Sequence, residues 1–175
     1  MAFKMMRWAI KIALFLALLV LAGTTTAQAQ QTFCDRLRFY CVEVPKGWAV
    51  LDGEKGMDAL IVGPGGKSRG WITLGTQDIN ASLDPEAGEF GDDDSIFGKR
   101  YVTLDGFRCL TFGVVRSRTA NIENYLQCRF AVPTAGLRLT FVLSSVSVPA
   151  QEKALEAVYW RIANSIRWRS NLRPY

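Results

Sequence analysis

The chain has 175 residues, an ordinary apolar share of 49%, and a formal charge of +5 from 21 basic and 16 acidic side chains. That composition excludes a disordered chain, and the near balance of charge argues against nucleic acid as a partner, which demands a concentrated basic surface. There is no His, so neither a Ser-His-Asp nor a Cys-His catalytic set can be built, and His-based zinc, copper and iron sites are excluded as well.

The N-terminus carries Lys4, Arg7 and Lys11 ahead of an unbroken apolar run at positions 12–22, and then Ala27-Gln28-Ala29. Positive head, short apolar core and small-x-small site, in that order, predict a secretory signal over 1–29, cleaved after Ala29. The run is much shorter than the roughly 20 apolar residues of a spanning helix. The expected mature chain, 30–175, suits one globular domain. Three basic residues leave with the leader, so the mature balance is 18 basic against 16 acidic.

Residues 38–44 read as a strand that stops at Pro45-Lys46-Gly47, and 48–51 as a second short one. Residues 59–62 and 71–75 read as a hairpin around Gly63-Pro64-Gly65-Gly66. From 78 to 98 the pattern fails, and a long loop is expected, with one helical turn near 83–87. Tyr101 to Leu104 restores order. Asp105-Gly106 is a turn signal, and a strong strand follows over 107–115. After a polar connection at 116–121, strands are predicted at 125–132 and 137–145. The last of these alternates Leu137, Leu139, Phe141 and Leu143 with polar neighbours, as a half-buried strand does. Val148-Pro149 opens a helix with Ser147 as its expected cap. Leu155, Val158, Tyr159, Ile162 and Ile166 fall on one face of it.

Both faces of 107–115 are apolar, so that strand is expected to be covered on both. The predicted fold class is α+β: an antiparallel sheet covered on both faces, closed by a C-terminal amphipathic helix.

Cys34, Cys41, Cys109 and Cys128 are an even set in an exported chain and read as disulfides, with no C-x-x-C pair to favour zinc. Strands 107–115 and 125–132 are consecutive and pair antiparallel by default. Placing Cys109 opposite Cys128 sets Thr111 against Leu126 and Phe112 against Tyr125, so both faces carry matched apolar pairs. A one-residue slip scrambles this. The expected bridges are therefore Cys109–Cys128 and, across a small loop, Cys34–Cys41.

Other motifs read as ordinary structure. Gly65-Gly66-Lys67-Ser68 resembles part of a phosphate loop, but Ile61 stands where that loop needs Gly and a strand follows instead of a helix. The acids Glu86, Glu89, Asp92, Asp93 and Asp94 lack the ligand spacing of a calcium loop. Asn80-Ala81-Ser82 is a glycosylation triplet. No residue is assigned to catalysis, a cofactor or a metal. Two features read as contact sites. One is Trp160, which lies off the apolar stripe of the helix. The other is the basic C-terminal stretch with Arg161, Arg167, Trp168 and Arg169, suited to an acidic partner or an anionic lipid surface, or else to the helix dipole.

The strand ending in Val44-Pro45-Lys46-Gly47-Trp48 and the closing Ile162-Ala163-Asn164-Ser165-Ile166-Arg167-Trp168 together resemble the PsbP-like family of exported α/β domains. The resemblance covers about 37–168. It implies an antiparallel sheet between helical layers, an α/β/α sandwich, and no reaction. The expected function is an exported, non-catalytic domain, periplasmic or extracellular, that docks to or stabilises an envelope or lumenal assembly through an unidentified protein partner. Its membrane contact is then limited to the leader and the basic C-terminus. A calycin-like β-barrel with a C-terminal helix is the rival fold, making the protein a carrier of small apolar ligands. A hydrolase that works without His, by carboxylates or Ser, is the third reading.

Overall fold

The computed structural model describes residues 30–53, 57–78, 90–91 and 93–174. The leader, the turn expected near 83–87, the Asn80 triplet and three of the five acids, Glu86, Glu89 and Asp92, lie outside these residues. The strands in chain order are β1 (Gln31–Cys34), β2 (Tyr40–Val44), β3 (Ala49–Asp52), β4 (Ala59–Val62), β5 (Trp71–Asp78), β6 (Ser95–Leu104), β7 (Phe107–Val115), β8 (Ile122–Val132) and β9 (Leu137–Ser147). The helix α1 (Glu152–Asn164) and the short strands β10 (Arg167–Trp168) and β11 (Arg173–Pro174) complete the chain.

The large sheet runs β3-β4-β5-β9-β8-β7-β6, and β11 pairs with β8. A smaller sheet runs β1-β2-β10. Every pairing is antiparallel. Among the described residues β3 and β6 do not pair with each other, so the sheet stays open and the calycin-like barrel is ruled out.

Asp105 and Gly106 both have positive φ, 48° and 84°, which is the primed turn that matches the twist of a two-residue hairpin. It joins β6 to β7. The expected register between β7 and β8 is present: Cys109 faces Cys128, Thr111 faces Leu126 and Phe112 faces Tyr125. The Cys109–Cys128 disulfide spans directly opposed residues with Cα atoms 4.3 Å apart. Cys34–Cys41 does the same across the β1–β2 hairpin, at 4.1 Å. β1 was not expected from the sequence, but its pairing with β2 turns the small Cys loop into a stapled hairpin.

One face of the large sheet carries the main core. Leu74, Leu126, Phe130, Phe141 and Leu143 meet Tyr40, Val42 and Val44 of β2 and Leu155, Tyr159 and Ile162 of α1 in one buried cluster. Of the stripe read from the sequence, Leu155, Tyr159 and Ile162 are buried on α1 with Ala163, Val158 is half-buried, and Ile166 is buried just past the helix end. On the opposite face Leu110, Phe112 and Val114 form a second cluster with Phe90, Ile96 and Tyr125.

Two local expectations are corrected. The helix has no side-chain cap: Ser147 lies at the end of β9, and its hydroxyl donates to the Ile122 carbonyl at 3.0 Å. A strand residue whose hydroxyl is drawn to its neighbour strand cannot also reach the helix N–H groups. The long loop also ends earlier than expected, because β6 starts at Ser95. The sequence hides this start because Gly98, at φ 64°, sits where the β6–β7 register shifts between Phe97 and Arg100. Such a bulge breaks the period-two pattern.

Candidate functional site

The C-terminal residues singled out above do not form one exposed patch: the two tryptophans pack and the three arginines are exposed. Trp160 is half-buried on α1. Its ring meets Tyr159 edge-on at 5.4 Å, and the Arg100 guanidinium lies over it at 5.4 Å. Arg161, Arg167 and Arg169 are exposed. Trp168 is part of the packing: its ring lies 4.8 Å from Phe107, 5.3 Å from Phe141 and 5.5 Å from Phe130. Its indole N–H donates to the Leu104 carbonyl at 3.2 Å, and its backbone N–H to Asp105 at 2.9 Å. These two bonds tie the C-terminal arginines to the β6–β7 turn.

Two further arginines join this surface that the sequence reading passed over. Arg100 stands on β6, and Arg108 on β7 lies over the Tyr101 ring at 3.8 Å. The available signal was Lys99-Arg100-Tyr101 beside Arg108 across the Asp-Gly hairpin, where alternation on paired strands places arginine next to a ring. Asp105, the carboxylate set among them, is taken up by the Trp168 N–H.

A groove of about 600 Å³ lies at the other end of the β7–β8 hairpin, lined by Trp71, Phe90, Asp94, Arg116, Asn121 and Glu123 among others. Its centre is already neutralised. Arg116 bridges Asp94 and Glu123 at 2.7 Å each and donates to the Phe90 carbonyl at 2.6 Å. The Ser117 N–H donates to Asp94 at 3.0 Å. That N–H and the Arg116 guanidinium hold the Asp94 carboxyl below its ordinary range. Of the acidic run, Asp94 therefore serves as an anchor for this hairpin. Among the described residues no three His, Cys, Asp or Glu side chains are grouped to hold a metal.

A cleft of about 490 Å³ brings Asp35 and Asp58 together with Leu37, Phe39, Leu137 and Leu139. Two carboxylates in one cleft are the arrangement a His-free hydrolase would need. Here both are tied to the fold. Asp35 accepts the backbone N–H of Leu37 at 2.9 Å and of Tyr40 at 3.0 Å, which shapes the β1–β2 hairpin. Asp58 accepts the Tyr40 hydroxyl at 2.8 Å and the Thr76 hydroxyl at 3.2 Å. Burial raises the Asp58 carboxyl, against the bond from Tyr40, and the Asp35 charge adds to the rise. Burial and Asp58 also raise the Tyr40 hydroxyl.

No protein-family model matches the sequence, and no curated protein matches it. Solved structures do. The solution structure of cyanobacterial PsbP (CyanoP) from Synechocystis sp. PCC 6803 is 12% identical, with a TM-score of 0.55 over 84% of this chain and 96% of that one. LpqN, a Mycobacterium tuberculosis protein involved in cell envelope biogenesis, is 15% identical, with a TM-score of 0.53 over 83% and 86%. At such identities the likeness is one of architecture. Among the described residues an open antiparallel sheet with one long helix, matched over most of both chains, makes this a PsbP-like fold.

Proposed function

We propose that the mature chain acts outside the cytoplasm as a non-catalytic domain that docks to, or stabilises, an envelope assembly. In this reading the sheet is covered on both faces, with α1 and the small sheet on one side and a second layer over Leu110, Phe112 and Val114 on the other.

One observation carries the proposal. Exposed Arg100 and Arg108 flank β6, exposed Arg161 follows Trp160 under Arg100, exposed Arg167 and Arg169 flank the Trp168 that is tied to the β6–β7 turn, and Asp105 in that turn already accepts the Trp168 N–H. Exposed cations, two of them held over aromatic rings, favour an acidic partner and raise the rate of encounter with it. Two disulfides with no free Cys suit an oxidising compartment. LpqN's link to cell envelope biogenesis agrees with that setting. The carrier reading loses its barrel, and the hydrolase reading loses its carboxylate pair to structural hydrogen bonds.

The test is co-isolation of the mature protein from its native envelope, comparing wild type with Arg161→Glu/Arg167→Glu/Arg169→Glu. Salt-sensitive recovery of a defined partner by wild type, reduced at least tenfold in the variant, supports docking. Recovery of the protein alone, at every salt concentration, overturns it. Intact mass of the exported product is expected to begin at Gln30, and a product that retains Met1 removes the cleaved leader from the reading.

A further inference from the structure

We propose that the free edge of β6, over residues 100–104, receives an extended acidic segment of a partner protein as an added strand; this rests on the docking reading above and names its surface. The large sheet has two ends. β3 is four residues long and closes with Asp52. Among the described residues β6 is ten residues long, pairs only with β7, and is exposed along most of its length.

An open edge is a row of unpaired N–H and C=O groups, and proteins that do not use it cover it, shorten it or disrupt it. The bulge at Gly98 and Lys99 does disrupt the first half of β6. Beyond it the register is regular for five residues, from Arg100 opposite Thr111 to Leu104 opposite Phe107. Within this stretch Arg100, Val102 and Leu104 bond to β7, so Tyr101 and Thr103 turn their N–H and C=O groups outward, where an added strand gains main-chain bonds for affinity and alternate side chains for specificity.

The flanking side chains say what the incoming strand carries. Successive strand residues point to opposite faces. Arg100 stands on the face with α1, held over Trp160, and Arg108 stands on the other face, held over Tyr101. Both guanidiniums are fixed by rings, so they lose little freedom on binding, and their N–H groups remain available to carboxylates. An added strand therefore meets a cation on each side. Tyr101, 53% exposed, backs the Arg108 guanidinium on that face, so the pair meets the incoming chain as a cation held on a ring.

A second copy of this chain fits poorly, since β6 beside β6 brings Arg100 and Arg108 of both copies, and no carboxylate partner for them, to one seam. A lipid surface has no use for an open main-chain edge, and the ring it would bury, Tyr101, is capped by Arg108.

The experiment uses the disulfide-intact mature protein and three probes: the blocked peptide Ac-Glu-Val-Glu-Val-Glu-Val-NH2, its Lys-Val counterpart, and phosphatidylglycerol vesicles. The readout is amide hydrogen exchange. The acidic peptide is expected to slow exchange of the outward-facing Tyr101 and Thr103 amides at least tenfold and the basic peptide to leave it unchanged. Arg108→Glu is expected to abolish the protection while buried β8 amides keep their wild-type rates. Arg100→Glu serves as the second variant, with Arg100→Lys retaining most of the effect. Absence of protection by the acidic peptide overturns the proposal, as does equal protection by both peptides. Protection of this edge by vesicles alone assigns it to lipid and overturns the proposal too. If the edge fails these tests while envelope co-isolation succeeds, docking uses another face; if co-isolation fails, the docking reading falls on its own evidence.

Discussion

The two faces of the large sheet are held by different physics. On the face under α1, large apolar side chains and the Cys109–Cys128 bridge, whose sulfur atoms are fully buried, form one continuous core. On the opposite face a small aromatic group is locked by charge: Phe112 and Tyr125 stack at 5.1 Å, Phe90 covers them, and Arg116 joins Asp94 to Glu123. Two aspartates show the contrast. Asp58, at the margin of the main core, is raised by burial, while Asp94, beside Arg116 and the Ser117 N–H, is lowered. The same side chain shifts in opposite directions because at Asp58 the loss of water outweighs its hydrogen bonds, while at Asp94 the Ser117 N–H and the Arg116 guanidinium outweigh the loss of water.

The sharpest way to separate the two faces is to cut the core bridge. Cys109→Ser/Cys128→Ser removes a crosslink of sequence separation 19. The chain-entropy model sets its contribution at about 3 kcal/mol, which corresponds to a fall in Tm of roughly 10 °C for a domain of this size. Cys34→Ser/Cys41→Ser opens a loop of separation 7 at the surface and is expected to cost less. Differential scanning calorimetry on both double variants ranks them, and a larger loss from the Cys34–Cys41 pair would move the critical staple to the hairpin.

Trp168→Ala comes next. Truncating an aromatic packed against Phe107, Phe130 and Phe141 costs about 2–3 kcal/mol. Arg167→Ala and Arg169→Ala, exposed beside it, are expected to stay within about 0.5 kcal/mol. Urea titration distinguishes a packing tryptophan from a surface one, and a neutral Trp168→Ala would return this residue to the contact surface.

The two aspartates give a pH test of opposite sign. Asp94 is depressed in the fold, so its stabilisation is present above the carboxyl's unfolded pKa and fades as pH falls through the folded value. Asp94→Asn is therefore expected to lower Tm at pH 7 and to match wild type in acid. Asp58 is raised in the fold, so its favourable form is the neutral one, present below the unfolded pKa and lost as pH rises through the folded pKa. Asp58→Asn keeps an acceptor for Tyr40 and is expected to raise Tm at pH 7 while changing little in acid. Curves of Tm against pH that shift in the same direction for both variants would break the contrast.

The smallest effect is expected at Tyr159. Its hydroxyl is buried with Thr111 as a polar neighbour but without a hydrogen bond of normal geometry. Tyr159→Phe removes an unsatisfied group and keeps the ring, so stability is expected to be unchanged or to rise by less than about 1 kcal/mol. A clear loss would reveal a bond to this hydroxyl.

Much of this architecture is local and therefore readable in the chain. The bounds of β7, the Asp105-Gly106 turn and the buried stripe of α1 follow from side-chain period and turn chemistry, which depend on neighbours a few residues apart. Even the register between Cys109 and Cys128 follows, because two strands apolar on both faces tolerate no slip of one residue. What the chain alone does not encode legibly is whatever depends on distant partners. β10 and β11 are two residues each and exist only because β2 and β8 offer them an edge. Ser147 has the chemistry of a helix cap, but the carbonyl of Ile122, brought alongside by the β8–β9 pairing, claims its hydroxyl. Trp168 sits in a basic stretch that reads as surface, and packing turns its ring inward against three phenylalanines. Composition and period determined that this chain builds a stapled antiparallel sheet under one helix. Only the tertiary structure decided which arginines are held over rings and, among the described residues, which strand ends the sheet, since both are settled by what folding brings alongside.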